Sequence, residues 1–274
     1  MDITVREPSA ARMLNKVPEI TLYFWVIKIM ATTVGETAAD YLNFNLGFGL
    51  TNTSYVIGVL LTAALAWQLA RRQYVPWLYW LTVLLISIVG TLITDNLTDV
   101  FGVPLWASTA VFSGLLAITF LAWYASERTL SIHSIFTTRR ELFYWAAILF
   151  TFALGTAAGD LATEGMGLGY LQGTLIFGGL IALTAVGYYA MGLDAVIGFW
   201  IAYILTRPLG ASIGDLLSQA PSAGGLGLSN LGINAVFFAT IVALIGFLTV
   251  TRVDRPTREE EQAEERPWAQ EARS

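Results

Sequence analysis

The sequence predicts an all-α polytopic membrane protein: eight transmembrane helices arranged as four parallel two-helix repeats. Three observations lead there. Hydrophobic residues form 55% of the 274 and charged residues only 13%, about half the charged share of a soluble domain. Apolar stretches of spanning length, about 20 residues each, follow one another along most of the chain. One pattern of aromatic, glycine and aspartate returns four times.

The spans fall at 20–42, 53–70, 76–99, 104–125, 141–163, 169–192, 195–218 and 230–251. They leave no room for a separate soluble domain. The chain therefore divides into a cytoplasmic segment 1–18, a membrane domain 19–252 and an acidic tail 253–274, with repeats at 19–72, 74–126, 139–192 and 194–251. The tail, ending TREEEQAEERPWAQEARS, supplies much of the net charge of −5. It has no apolar periodicity and reads as solvated and disordered. The first apolar run is full length and lacks a small-residue cleavage site, so it reads as a retained span, not a signal peptide. The absence of cysteine excludes disulfides, haem thiolates and thiolate metal sites.

Basic residues set the orientation. Arg6, Arg12 and Lys16 precede span 1, Arg71 and Arg72 follow span 2, and Arg128, Arg139 and Arg140 lie between spans 4 and 5. Five more arginines follow span 8, and the loops after spans 1, 3, 5 and 7 contain none. The positive-inside bias then makes both termini and every even-to-odd loop cytoplasmic.

The odd spans align without a gap: FWVIKIMATTVGETAAD, YWLTVLLISIVGTLITD, YWAAILFTFALGTAAGD and FWIAYILTRPLGASIGD. Each carries a Trp, a Gly ten residues on and an Asp fifteen on: Trp25, Gly35, Asp40; Trp80, Gly90, Asp95; Trp145, Gly155, Asp160; Trp200, Gly210, Asp215. Copies 1 and 3 also share glycines after the Asp, at Gly47 and Gly49 and at Gly167 and Gly169. A two-span unit returns the chain to its starting side, so all four copies run in the same direction about an axis along the membrane normal. The odd helices are expected inside and the even ones outside.

The four aromatic-Trp, Gly, Asp hairpins, the first reading KIMATTVGETAADYL, resemble the bacterial repeat-of-unknown-function membrane family, whose members are labelled uncharacterised membrane-anchored proteins. The resemblance covers residues 16–252. It implies four repeats and an inner-membrane location, and supplies no reaction.

The tryptophans read as interface anchors and the repeated glycines as points of close helix packing. From Trp to Asp is about 22 Å along a helix. That puts the aspartates about 5–10 Å inside the outer boundary of a core about 30 Å thick. An acid inside the membrane costs about 2.5–3.5 kcal/mol on insertion scales, and one near a helix C-terminus also opposes the macrodipole. Four such positions point to use as an ion or proton site, against the plainer reading of solvated helix ends. Glu36 lies one turn before Asp40, Asp99 and Glu164 one turn after Asp95 and Asp160, and Gln219 one turn after Asp215. Thr37, Asn43, Thr91, Thr94, Asn96, Thr156 and Ser212 add neutral oxygens. The lone histidine, His133, sits in a cytoplasmic loop and reads as a bystander. All-oxygen ligands suit hard ions such as Mn²⁺, Mg²⁺, Ca²⁺ or Na⁺, and protons.

Lys28 and Arg207 fall inside spans. Lys28 is placed either to reach the cytoplasmic surface with its ammonium or to act as an internal counter-ion. Arg207, just before Pro208, needs an acid or carbonyls from another span and reads as a counter-ion or gate. The expected function is a secondary transporter exchanging a divalent cation, Mn²⁺ the candidate, for protons, with Asp40, Asp95, Asp160 and Asp215 as metal ligands. A cation channel and a sensor or scaffold are the alternatives. The expected partners are the bilayer, a small cation and protons, with no nucleic acid and no permanent cofactor. AAGD and SIGD faintly resemble intramembrane aspartyl proteases, but the GxGD pattern and its proline-containing partner motif are missing. An enzyme is not expected.

Overall fold

A computed structural model describes residues 15–255; the basic residues before Lys16 and the acidic tail beyond Arg255 lie outside them. Every long element is a helix: α1 Leu22–Asp40, α2 Gly49–Ala70, α3 Pro76–Asp95, α4 Leu105–Glu127, α5 Thr138–Asp160, α6 Tyr170–Met191, α7 Ala195–Ser218 and α8 Asn230–Thr251. Seven are long and apolar enough to cross a membrane. The eighth, α1, carries Lys28, Glu36 and Asp40 within its 19 residues.

Local chemistry sets the ends. Hydroxyl or carboxylate N-caps accept from backbone N–H groups at α1 (Thr21 from Phe24), α5 (Thr137 from Arg140), α7 (Asp194 from Val196 and Ile197) and α8 (Ser229 from Gly232). These satisfy donors that a helix start leaves without partners. Pro76 opens α3, where its missing N–H costs nothing. Past the aspartate, the first three odd helices widen into a π-helical turn, at Tyr41–Asn45, Asn96–Val100 and Leu161–Gly165. The expected spans had no such feature, because hydropathy is blind to backbone register. In copies 1 and 3 the chain then turns through the shared glycine pairs, with φ of 66° and 74° at Gly47 and Gly49 and 70° and 79° at Gly167 and Gly169. Only glycine takes that backbone freely.

The odd helices pack in a ring, α1 on α3, α3 on α5, α5 on α7 and α7 back on α1. Each even helix lies outside against the next odd one: α2 on α3, α4 on α5, α6 on α7, and α8 on α1, closing the cycle. Burial follows this order. Most of α3, α5 and α7 is inside, whereas α6 buries only Gly173. The outer faces of the even helices expose large apolar side chains such as Val59, Leu121, Leu175 and Val236.

The repeated glycines are the notches of the ring. A Cβ on Gly35 would strike Ser87, on Gly90 Phe152, on Gly155 Arg207 and on Gly210 Thr32. Those four struck residues stand at one repeat position, eight before the aspartate. Each odd helix thus seats this side chain in its neighbour's glycine notch.

Candidate functional site

Positions four and eight residues before each aspartate lie on the same helix face as it. At minus eight stand Thr32, Ser87, Phe152 and Arg207; at minus four stand Glu36, Thr91, Thr156 and Ala211. The ring turns both layers toward its axis, and Arg207 reaches across it. Its Nε donates to Thr156 Oγ1 at 3.0 Å, its Nη1 to the Thr32 carbonyl at 2.8 Å and its Nη2 to Glu36 Oε2 at 2.7 Å. Nη2 also bonds Thr91 Oγ1, and Thr156 Oγ1 again at 2.7 Å. One fully buried guanidinium from α7 therefore binds α1, α3 and α5 together. Its counter-ion is Glu36, from the adjacent α1 and itself buried.

One turn beyond this plug, toward the end where the odd helices widen, stand the four aspartates. Asp215 is buried, while Asp40, Asp95 and Asp160 are partly exposed. They lie within electrostatic reach of one another and of Glu36: Asp95 and Asp160 act on each other, as do Asp40 and Asp215. Among the described residues no three acids are placed to ligate one ion directly. Asp99 and Glu164 are exposed at the rim, Glu164 accepting from the Tyr170 hydroxyl at 3.1 Å. The acids gather at one end of the ring, here called its mouth, partly exposed at Asp40, Asp95 and Asp160 and backed by the buried Arg207–Glu36 pair.

Lys28 lies on the far side of that pair. It is fully buried, and its Nζ has no hydrogen-bond partner among the described residues. The ammonium neither reaches the surface nor meets an acid there. It sits 3.9 Å from the Phe152 ring centre and 4.1 Å from that of Tyr203, where ring quadrupoles attract a cation. Phe152 meets the pair too, with Arg207 Cζ 5.8 Å from its ring centre. Phe152 thus separates two buried basic side chains. Below Lys28 the Tyr79 and Tyr144 hydroxyls share a hydrogen bond of 2.5 Å.

Three of the four repeated tryptophans turn inward instead of marking an interface. Trp80, Trp145 and Trp200 are buried, packed among Phe24, Tyr79, Tyr144 and Phe199, and only Trp25 is half-buried. Their rings pack against aromatic neighbours from the adjoining inner helices, so they fill the ring's interior and do not mark an interface. Among the described residues the outward tryptophans are unrepeated ones, Trp67 and Trp77 in edge contact at 4.9 Å, and Trp106 at the opposite end. His133 meets Glu19 at 3.3 Å on the periphery.

Four tandem copies of the model for the Repeat of Unknown Function (DUF347) match at residues 23–74, 78–129, 143–193 and 198–254. The chain belongs to this family. Neither a curated protein nor a solved structure matches it. Each family repeat covers one inner helix with the outer helix that follows, so the repeat supplies one quarter of the ring. The family description gives no chemistry, and the site rests on the geometry above. Thr32, Thr91, Thr156 and Phe152 carry that geometry as much as the acids do. Thr91 and Thr156 were already among the neutral oxygens read from the sequence, whereas Thr32 and Phe152 were missed although they share the column that reads Thr, Ser, Phe, Arg eight before the aspartate.

Proposed function

We propose that this chain is a secondary transporter of the bacterial inner membrane, with eight spans and cytoplasmic termini, that exchanges a hard divalent cation for protons. The observation that carries the reading is the acid-lined mouth backed by Arg207 and Glu36. Four carboxylates of common depth attract a cation, and Glu36 belongs to both the mouth and the pair. A cation or proton arriving at Glu36 competes with its ion pair, which loosens Arg207 from the three helices it ties. Loading and opening are then one event, as exchange requires. With carboxylates, hydroxyls and water as the donors, the cargo is a hard ion, and Mn²⁺ is our candidate.

Trp106 and the Trp67–Trp77 pair support the spanning frame as outward aromatics at opposite ends. Trp106 follows Leu105, which lies beside Gly165. Gly165 is five residues, about 8 Å, beyond Asp160, so the acids sit inside that belt. An open cation channel is disfavoured by the buried Arg207 guanidinium and the buried Lys28 side chain standing on its path.

The test is flux into liposomes holding the purified protein. A pH gradient should drive Mn²⁺ uptake in the wild type. Asp40→Asn and Asp160→Asn should reduce it at least about tenfold, the order expected when one preorganised charge is lost, while elution and melting stay unchanged. Full flux in all four single Asn variants would overturn the site, and flux that follows voltage without proton movement would make the protein a channel.

A further inference from the structure

The mouth leaves unanswered how protons cross the half of the bundle below Phe152. We propose that Lys28 is the internal proton carrier, and that a line of tyrosine hydroxyls (Tyr203, Tyr144, Tyr79 and Tyr74) connects it to Asp254 at the end of the bundle bearing Lys16 and Arg71. The proposal rests on the exchange reading for its purpose and on separate observations for its path. Lys28 Nζ and the Tyr203 hydroxyl are both buried without a hydrogen-bond partner among the described residues, although the Tyr203 ring lies 4.1 Å from the ammonium. Tyr203 lies within electrostatic reach of the Tyr79–Tyr144 pair, whose hydroxyls already touch. Tyr74 packs edge-on against Tyr79 at 5.7 Å and donates to Asp254 Oδ2 at 2.7 Å.

Burial of this kind needs a reason. A lone ammonium without an acid is costly in a dry interior, and hydroxyls there are normally bonded to something. Bridging water at the open links satisfies both groups and completes the line. The step balances. The Lys28 ammonium releases one proton and becomes an amine. Each hydroxyl takes a proton on its lone pair as it passes its own onward, and the Asp254 carboxylate receives the last one as a neutral acid. Burial raises the Asp254 carboxyl above the ordinary aspartate range, against the opposing hydrogen bond from Tyr74, which suits a group that must hold a proton briefly.

The charged and titratable groups near Lys28 are few. Arg207 and Tyr203 come from α7, Tyr144 from α5 and Tyr79 from α3, while α8 carries no charged residue. On its own helix Glu36 is held by Arg207. Asp254 faces Tyr74 and the neighbouring Arg255.

The chain has only two lysines, Lys16 and Lys28, so ¹³C-lysine labelling in nanodiscs gives two side-chain signals, and Lys16→Arg assigns them. After a jump into D₂O, without metal, the Lys28 signal should take its deuterium shift in seconds. Tyr203→Phe and Tyr144→Phe, which keep the rings, should slow that exchange at least about tenfold, within the usual reach of a positioned proton donor. Equal rates in both variants would overturn the line, as would acceleration only on Phe152→Ala, which opens the acid side. In liposomes Lys28→Met should lose proton-driven Mn²⁺ uptake yet retain Mn²⁺-for-Mn²⁺ exchange, and loss of both would remove Lys28 from the carrier role. If the wild type moves no cation, the exchange reading fails, and the deuterium result still decides the path.

Discussion

Arg207 has five N–H donors and no way to lose its charge, so a buried position must supply acceptors around it. The repeat does so economically. Two threonines at equivalent positions, Thr91 and Thr156, face a guanidinium that only the fourth copy carries, and the first copy alone places Glu36 in that layer. Breaking a buried pair by removing one partner costs about 3–5 kcal/mol, whereas replacing both with apolar groups is often neutral. We therefore expect Glu36→Met to lower the melting temperature in detergent sharply, and Glu36→Met with Arg207→Met to recover most of the loss. Calorimetry or intrinsic tryptophan fluorescence would follow both. Failure of the double variant to recover would mean that the threonine and carbonyl bonds, not the ion pair, carry the stability. Neither variant should exchange cations, since both lack the group that links loading to opening.

At the scale of helices, inner and outer elements obey different packing rules. Gly90 admits Phe152 so closely that an added Cβ would lie 2.7 Å from Phe152 Cβ and 3.1 Å from its backbone carbonyl carbon. Gly58, on the outer α2, has nothing within 4 Å of an added Cβ. Gly90→Ala should then destabilise by about 1–3 kcal/mol, the usual cost of overpacking, while Gly58→Ala should be neutral or gain up to about 1 kcal/mol from helix propensity. Thermal unfolding of the two variants side by side checks this, and equal tolerance would remove the notch from the account of assembly. The same contrast explains what the sequence discloses. Helix positions follow from hydropathy, and the four copies from fixed offsets, so the eight helices and the glycine contacts were legible. The inward turn of Trp80, Trp145 and Trp200 was not, because an aromatic at a span's end looks alike whether it faces lipid or a neighbour. The partners of Arg207 were also hidden. Glu36 lies 171 residues away, and only the order of helices around the ring joins them.

Across the whole molecule, the cyclic arrangement gives each end one character. Every even-to-odd connection lies at the end bearing Lys16 and Arg71, and every odd-to-even connection at the end bearing the aspartates. The chain contains no cysteine, so single cysteines report sidedness without background. Asn45, Gln73 and Ser222 are exposed loop or turn positions. A membrane-impermeant maleimide applied to intact cells should label Asn45→Cys and Ser222→Cys, and should reach Gln73→Cys only after the membrane is opened. Labelling of Gln73→Cys in intact cells would invert the molecule and direct the acid mouth to the cytoplasm, where a resting inward proton gradient could no longer load it. The direction of the proposed exchange therefore depends on this one result. With the mouth outward, the proposed exchange would have protons enter where they are abundant and displace the ion held by the acids. Arg71, Arg72, Arg139 and Arg140 favour the proposed orientation, because moving them across a bilayer is unfavourable.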